Sequence, residues 1–275
     1  MSVDDSILFA EWLRLREAAD AAARAADLVD AVRARPAGPG PRVVHDLGCG
    51  TGSVGRWLAP LLPGEQEWTF HDRDEDLLAR ATAGMAGVRA ADGAPVTVRT
   101  RRGDLTGLTA ADLAGASLVT ASALLDMLTV QELDRMVAAC AVAGCPALLM
   151  ISVTGVVAFT PAEPLDAEFA AAFNDHQRRT VDGRGLLGPD AVDACVAAFG
   201  RHGVPVRRRP SPWRLGPEQS DLTVAWLTGW VAAACEQRPE LAGEAEAYLR
   251  RRLDQAAAGE LRVELGHDDL LAGVD

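Results

Sequence analysis

Residues 43–52 read Val43-Val44-His45-Asp46-Leu47-Gly48-Cys49-Gly50-Thr51-Gly52. With Arg42 before it, the stretch up to Leu47 is short, apolar and bounded by turn residues, which is the pattern of a buried strand. Three glycines at alternate positions follow, and Ser53–Leu62 then reads as a helix. Glycines permit a tight turn and let a ligand approach the backbone closely. A helix that starts there offers unpaired N–H groups at its first turn. Strand, glycine turn and helix together read as a ligand-binding unit.

Working outward, the same alternation continues. Glu67–His71 reads as a second strand and Asp74–Met85 as a helix. Val96–Arg101 is a third strand, Ser117–Ser122 a fourth, Val130–Val142 a helix and Ala147–Val153 a fifth strand. This βαβα rhythm predicts an α/β fold with a mostly parallel sheet covered by helices on both faces. Right-handed crossovers make it doubly wound. Before it, residues 6–34 read as one amphipathic helix, with Leu8, Trp12, Leu15, Ala19, Ala22, Ala26 and Val29 on one face. The Pro36–Pro41 segment ends it. Beyond residue 155 the rhythm loosens: a helix over Pro164–Arg179, another from Gly188 to near Gly203, and a strand over Val204–Arg214. Helices over Glu218–Gln237 and Glu240–Ala258 and a last strand over Leu261–Gly266 complete the reading.

Composition narrows the function. The chain has 275 residues, a hydrophobic fraction of 49% and a formal charge of −12. A phosphate backbone is bound by basic residues that release counterions, so nucleic acid is not the expected partner. Arg207–Arg209 and Arg250–Arg252 read as a solvated strand end and a solvated helix face. Every basic residue is arginine, which removes a lysine base or Schiff base from consideration. The alanine- and arginine-rich composition fits a high-GC bacterial genome. Five cysteines form no zinc-type pattern, so no metal site is expected, and an odd free count fits a reducing cytoplasm. The acidic start Met1-Ser2-Val3-Asp4-Asp5 is not a signal peptide. No apolar run reaches membrane-span length. The sequence leaves a homodimer open.

Two cofactor classes use such a glycine turn. Gly50-Thr51-Gly52-Ser53-Val54-Gly55 matches G-x-G-x-x-G, the dinucleotide fingerprint, a weak signal taken alone. Asp46 separates the readings. A carboxylate at the strand end repels a pyrophosphate and favours a cationic ligand. The stretch from Asp46 to Gly52 resembles the first motif of the class I S-adenosylmethionine-dependent methyltransferases, an acid, an apolar residue and then G-x-G-x-G. Asp46, Gly48, Gly50 and Gly52 match it position by position.

That resemblance implies a cofactor site and a division of labour. Asp72 ends the second strand, where the family's acid receives the ribose hydroxyls; the alternative is a helix N-cap. Asp104 follows the third strand, where the family contacts the adenine amino group, and Leu105 would pack on the ring. Cys49, Arg73 and Ser122 adjoin these positions and complete the implied cofactor set. The segment Thr120–Leu128 resembles the family's post-strand passage beneath the methyl donor, with Asp126 directed at the acceptor. Many relatives that act on small molecules carry histidine there, so the identity of a base stays open. A [DNS]-P-P-[YFW] motif is absent, which speaks against methylation of exocyclic base amines.

The implied protein is a single Rossmann-like domain. Residues 1–40 would be a helical lid, 41–155 the cofactor half, and 156–275 the substrate half with a helical insertion. The expected activity is methyl transfer from S-adenosylmethionine to a small-molecule acceptor, such as a bacterial secondary metabolite, with release of S-adenosylhomocysteine. An NAD(P)-dependent oxidoreductase and a cofactor-binding protein without methyl transfer are the alternatives. Asp126 and His176 are the catalytic candidates; Asp126, His176, Arg178 and Trp213 are the substrate-binding candidates. His45 reads as a core histidine, and His71 and His267 carry no distinct signal.

Overall fold

The computed structural model describes residues 3–35, 38 and 40–274, with side chains from residue 8 onward. Pro36, Ala37 and Pro39 of the Pro36–Pro41 breaker, like Met1 and Ser2, lie outside the described residues. The amphipathic stretch forms two helices, α1 (Val3–Ala23) and α2 (Ala26–Ala34), where one was expected. The break has a tertiary cause. Ala25 is extended, and its N–H donates to Asp269 Oδ2 at 2.8 Å, a bond the continuous helix would not allow.

The alternation then appears as read: β1 (Arg42–Leu47), α3 (Ser53–Leu58), β2 (Gln66–Asp72), α4 (Glu75–Gly84), β3 (Val96–Arg102), β4 (Leu118–Ser122), α5 (Val130–Ala143) and β5 (Ala147–Thr160). Next come α6 (Asp166–Gln177), a hairpin of β6 (Thr180–Val181) and β7 (Arg184–Gly185), and α7 (Ala191–Arg201). The expected strand over 204–214 is split into β8 (Val206–Pro210) and β9 (Trp213–Leu215). Helices α8 (Ser220–Gln237) and α9 (Ala242–Ala257) precede β10 (Arg262–Ala272), which runs six residues past its expected end at Gly266.

Among the described residues, eight strands share one sheet in the order β3-β2-β1-β4-β5-β10-β8, with β9 paired to the outer half of β10. The first five strands are parallel, and β10 is antiparallel to both neighbours. One face buries Val44, Trp68, Phe70 and Leu148 under α2, α3 and α4. The other buries Val119, Leu149 and Leu270 under α5 and α7. The chain leaves β1 in one direction through β2 and β3, and returns to its other side with β4. The carboxyl ends of β1 and β4 therefore border a crevice at a topological switch point, where open α/β sheets bind ligands.

A third core lies beyond the sheet's edge. The extension of β5 past Val153 pairs with the start of β10, and α6, α8 and α9 pack there around Phe159, Phe169, Trp230 and Tyr248. Arg252 is fully buried in it, ion-paired with Asp166, bonded to the Pro161 carbonyl at 2.7 Å, and lying 4.6 Å over the Phe159 ring. A buried charge persists only when paired and hydrogen-bonded, and this one fixes α9 against the β5–α6 junction. Among the described residues no helix is long and apolar enough to cross a membrane, and no group of acidic, histidine or cysteine side chains is arranged to hold a metal.

Candidate active site

The glycine loop is held from two sides. Gly48, Gly50 and Gly52 all have positive φ, at 63°, 54° and 81°, the region L side chains avoid. At Gly52 a Cβ would stand 3.1 Å from the Ala81 backbone Cα of α4, so the loop packs against a rigid neighbour. The Cys49 N–H donates to the His71 carbonyl at 3.0 Å, tying the loop to the end of β2. Asp72 Oδ2 accepts from Gly50 N–H and Oδ1 from Asp74 N–H, each at 3.0 Å. Asp74, not Asp72, is the N-cap of α4, accepting from the Asp76 and Leu77 amides. Asp72 thus braces the loop and is left half-buried at the crevice.

A cavity of about 780 Å³ opens at these strand ends, within the range of roughly 300–1,000 Å³ typical of small-molecule sites. Gly48, Cys49, Gly50, Asp72, Arg73, Asp104, Leu105 and Ser122 line it, as do Asp126 and Trp213. Asp104 keeps its expected place after β3; its carboxylate accepts from Thr106 N–H at 2.8 Å, and that bond holds the acid below its ordinary range. Asp126 is half-buried on a single 3₁₀ turn after β4, and burial raises its carboxyl, against the charges of Arg16 and Arg179.

Four expected site residues lie elsewhere. Asp46 is fully buried on the central strand β1 and does not line the cavity. Its Oδ1 accepts from the Thr120 hydroxyl at 2.7 Å, while Oδ2 is enclosed without a partner. Burial pushes this carboxyl up to about 7, opposed by the Thr120 hydroxyl and the charge of Arg24. Gly52 serves the α3–α4 packing described above. His176 and Arg178 sit outside the cavity. The His176 ring stacks on Phe173 and its Nδ1 lies 3.8 Å from Glu236 on α8. Arg178 forms a two-pronged pair with Asp190 at 2.6 and 2.7 Å. Both residues tie α6 to its neighbours, which accounts for the polar density of that stretch.

Several lining residues carried no sequence signal. Arg16 and Asp20 on α1, Glu132 at the start of α5, Gln177 on α6, Arg184 on β7, Trp226 on α8 and His267 on β10 all reach the cavity. Arg184 Nε and Nη2 meet Glu132 at 2.9 and 2.6 Å, and Nη2 also donates to the Met127 carbonyl. That bond to Arg184 draws Glu132 down to about 2. The pair pins the β6–β7 hairpin over the Asp104 edge of the crevice. Opposite, the backbone of Ile151 has φ of 53°, and its N–H donates to Asp269 Oδ1 at 2.8 Å. A β-branched residue with positive φ is uncommon and strained; here it lines the cavity where β5 leaves the parallel sheet.

His45 and His71 are a buried pair, Nδ1 to Nε2 at 2.9 Å, beneath the loop. Burial holds His71 down to about 4 and lowers His45, so both are neutral near pH 7. Neither ring lines the cavity.

Residues 44–143 match the family model described as a methyltransferase domain. The match spans β1 to the end of α5, and the cofactor it implies is S-adenosylmethionine. No curated protein matches the chain in sequence. Among solved structures the chain is similar to a cyclopropane synthase, MmaA2, from Mycobacterium tuberculosis, at 14% identity, 90% of this chain, 83% of that chain and a TM-score of 0.49. It is also similar to an S-adenosylmethionine-dependent methyltransferase from Geobacter sulfurreducens in complex with S-adenosylhomocysteine, at 18% identity, 90% and 88% coverage and a TM-score of 0.45.

Proposed function

We propose that the chain binds S-adenosylmethionine at the Gly48–Gly52 loop and transfers its methyl group to a small molecule held in the same cavity. One observation carries this reading. The braced glycine loop and the acids Asp72 and Asp104 open onto a cavity large enough to continue past them to α1, α6, α8 and β10. When bound, the donor supplies an electrophilic methyl carbon on a sulfonium. Asp72 is placed to accept from a ribose diol, since a carboxylate offers more acceptor sites than the two backbone amides occupy. Asp104 and Leu105 would hold the adenine edge and face. Methyl transfer to a protic acceptor would release a proton that the protein must accept. Asp126, with its carboxyl raised by burial, is the acid placed to receive that proton. His176 is withdrawn from this role because it lies outside the cavity.

The remainder of the work is orientation, and the enclosing walls supply it. In this reading α1 acts as a cover, the segment after residue 155 selects the acceptor, and the whole chain works as one domain. The test begins with calorimetry against S-adenosylhomocysteine, S-adenosylmethionine and NAD. Micromolar binding of the first two and none of NAD is expected. Binding of NAD alone would replace the reading with an oxidoreductase. Turnover on a metabolite panel then separates a transferase from a protein that holds the cofactor without using it.

A further inference from the structure

Helix α1 lays one stripe of side chains along the cavity. Phe9, Trp12, Leu13, Arg16 and Asp20 all line it, at the spacings of three and four that share one helix face. At the α-helical rise the stripe is about 16 Å long. Its two ends differ. The inner end is closed: Asp20 accepts from Arg16 Nε and Nη2 at 3.0 and 3.1 Å and from Trp213 Nε1 at 2.9 Å. The outer end is open and apolar, with Phe9 40% exposed. Between them Leu13 lies against the glycine loop, its Cδ1 2.9 Å from where a Cβ on Gly50 would stand.

Two more exposed apolar side chains stand on the same cavity. Met127, on the 3₁₀ turn after β4, is 50% exposed, and Val156, on the extension of β5, is 62% exposed. A ligand arriving from solvent meets all three side chains directly. Behind them Trp12, Val157, Phe173 and Trp226 are half-buried and continue the apolar lining inward. A single exposed apolar residue is ordinary on a protein surface. Val142, on α5 and away from the cavity, is one such residue. Among the described residues, Phe9, Met127 and Val156 instead come from three distant segments to one opening. The apolar surface they leave in water is the kind that a hydrocarbon covers with gain. Met127 is unbranched and adapts to irregular apolar partners. In the methyltransferase reading Asp72 and Asp104 are taken up by the cofactor, and what this opening adds for an acceptor is hydrocarbon.

We propose that this opening binds the hydrocarbon portion of an amphiphilic acceptor, with an alkyl chain among Phe9, Met127 and Val156 and the reacting group directed inward past Leu13, where α1 meets the glycine loop. The proposal rests on the methyltransferase reading and names its substrate class. Phe9, Met127 and Val156 are then specificity-determining residues. Two of them are set in place by their surroundings. The turn carrying Met127 is held by its own carbonyl, which accepts from Arg184 Nη2 at 3.1 Å. Val156 fits because residue 266 is glycine: a Cβ there would stand 3.0 Å from Val156 Cβ. A concave site suits a chain better than a flat partner face, and a formal charge of −12 opposes an anionic membrane as the cover. Each methylene that the opening covers leaves water, so affinity rises with chain length.

The test uses the full chain saturated with S-adenosylhomocysteine and three neutral probes, 1-hexanol, 1-octanol and 1-decanol, each below its solubility limit. Affinities are read by calorimetry and saturation-transfer NMR. Each added methylene is expected to tighten binding about two- to fourfold. Phe9→Ser, Met127→Ser and Val156→Ser replace exposed side chains, so affinity for S-adenosylhomocysteine should stay at the wild-type value. Each should cut the gain from hexanol to decanol by about two- to fivefold, and the triple variant should flatten it to within about threefold. Val142→Ser, the control on α5, should leave the whole series unchanged. A chain-length gain that survives the triple variant overturns the proposal, as does a gain lost equally in Val142→Ser. Loss of S-adenosylhomocysteine binding in the triple variant also overturns it, because the three residues would then serve the cofactor or the fold. A dimer, or sedimentation with phosphatidylcholine vesicles, that the triple variant loses while the alcohols fail to bind gives the opening to a second copy or a membrane and overturns it. Binding of S-adenosylhomocysteine with no binding of any alcohol overturns it and leaves the methyltransferase reading standing. Failure of S-adenosylhomocysteine itself to bind overturns both.

Discussion

The two halves of the cavity are made in different ways. The half proposed for the cofactor comes from consecutive strand–loop–helix units, and its lining groups Gly48, Asp72 and Asp104 sit at strand ends. Its polar contacts are short-range or between neighbouring strands: Asp72 to Gly50 and Asp74, Asp104 to Thr106. The half proposed for the acceptor is assembled from α1, the end of β5, α6, β9, α8 and β10, and its contacts span the chain. Trp213 to Asp20 crosses 193 positions, and Ala25 to Asp269 crosses 244. Backbone geometry specifies the first half, and side-chain packing between distant segments specifies the second. Damage to the first should therefore abolish cofactor binding, whereas damage to the second should spare it.

The largest expected effect is at Gly52. Valine there would need positive φ and would press on the Ala81 backbone, costing about 3 kcal/mol or more. Gly52→Val should lower affinity for S-adenosylhomocysteine by roughly a hundredfold and depress the melting temperature. Wild-type calorimetry for this variant would break the comparison at its strongest point. Next in size is Asp72→Ala. A charged acceptor contributes roughly 1.5–3 kcal/mol, so affinity should fall by about ten- to a hundredfold. If the apo melting point falls while affinity is unchanged, Asp72 acts only as a brace for Gly50.

The same division explains what was legible in the sequence. β1 to α5 were readable because each element there carries its own period and its own stop signal. The glycine loop, Asp72 and Asp104 followed from their places at strand ends. The break between α1 and α2 was not readable, since an acid 244 positions away makes it. Nor was the extent of β5, whose last residues are strand only because β10 lies beside them. His176 and Arg178 drew attention by polar density, but a helix packed between a sheet extension and α8 uses such groups for docking. His267 reaches the cavity from a strand whose sequence carries one usable signal. Gly266 interrupts a strand pattern, and a glycine there marks a bulge that re-aims its neighbour. Asp46 is the opposite case, a motif residue that is fully buried. A central strand encloses what a sequence motif leaves open.

A third prediction separates the halves by kinetics. Asp126→Asn keeps the shape and hydrogen-bonding capacity of the side chain but cannot hold the proton. Once an acceptor is in hand, turnover should fall by about a hundredfold or more if the carboxyl serves as base. Affinity for S-adenosylhomocysteine should stay within about twofold. His176→Ala is the matched control, expected to leave both quantities near wild type because its ring lies between α6 and α8. Equal losses in the two variants would mean that Asp126 acts through packing alone.

The smallest effect is expected at the latch joining the halves. Arg184 on the β6–β7 hairpin pairs with Glu132 of the cofactor half through two contacts and also reaches the Met127 carbonyl. The arginine side chain is 40% exposed, so solvent screens the pair, and its worth is about 0.5–1 kcal/mol. Arg184→Gln should therefore speed dissociation of S-adenosylhomocysteine only about two- to fivefold, measured by stopped flow with excess competitor. Glu132→Gln should do the same, and the double variant should be no faster than either single one, because both remove one interaction. The pH dependence has a definite sign. Glu132 is drawn from its ordinary 4.5 to about 2 by the Arg184 bond. A depressed carboxylate contributes fully above its unperturbed value and loses that contribution as pH falls towards the depressed one. The wild-type dissociation rate should thus be set by an intact latch from pH 8 to about 5. The rate advantage of the variants over wild type should shrink between pH 4.5 and 2, as protonation opens the wild-type latch as well. A rate unchanged in both variants would show that the hairpin does not cover the cofactor, and the boundary between the halves would then lie at Asp104 itself.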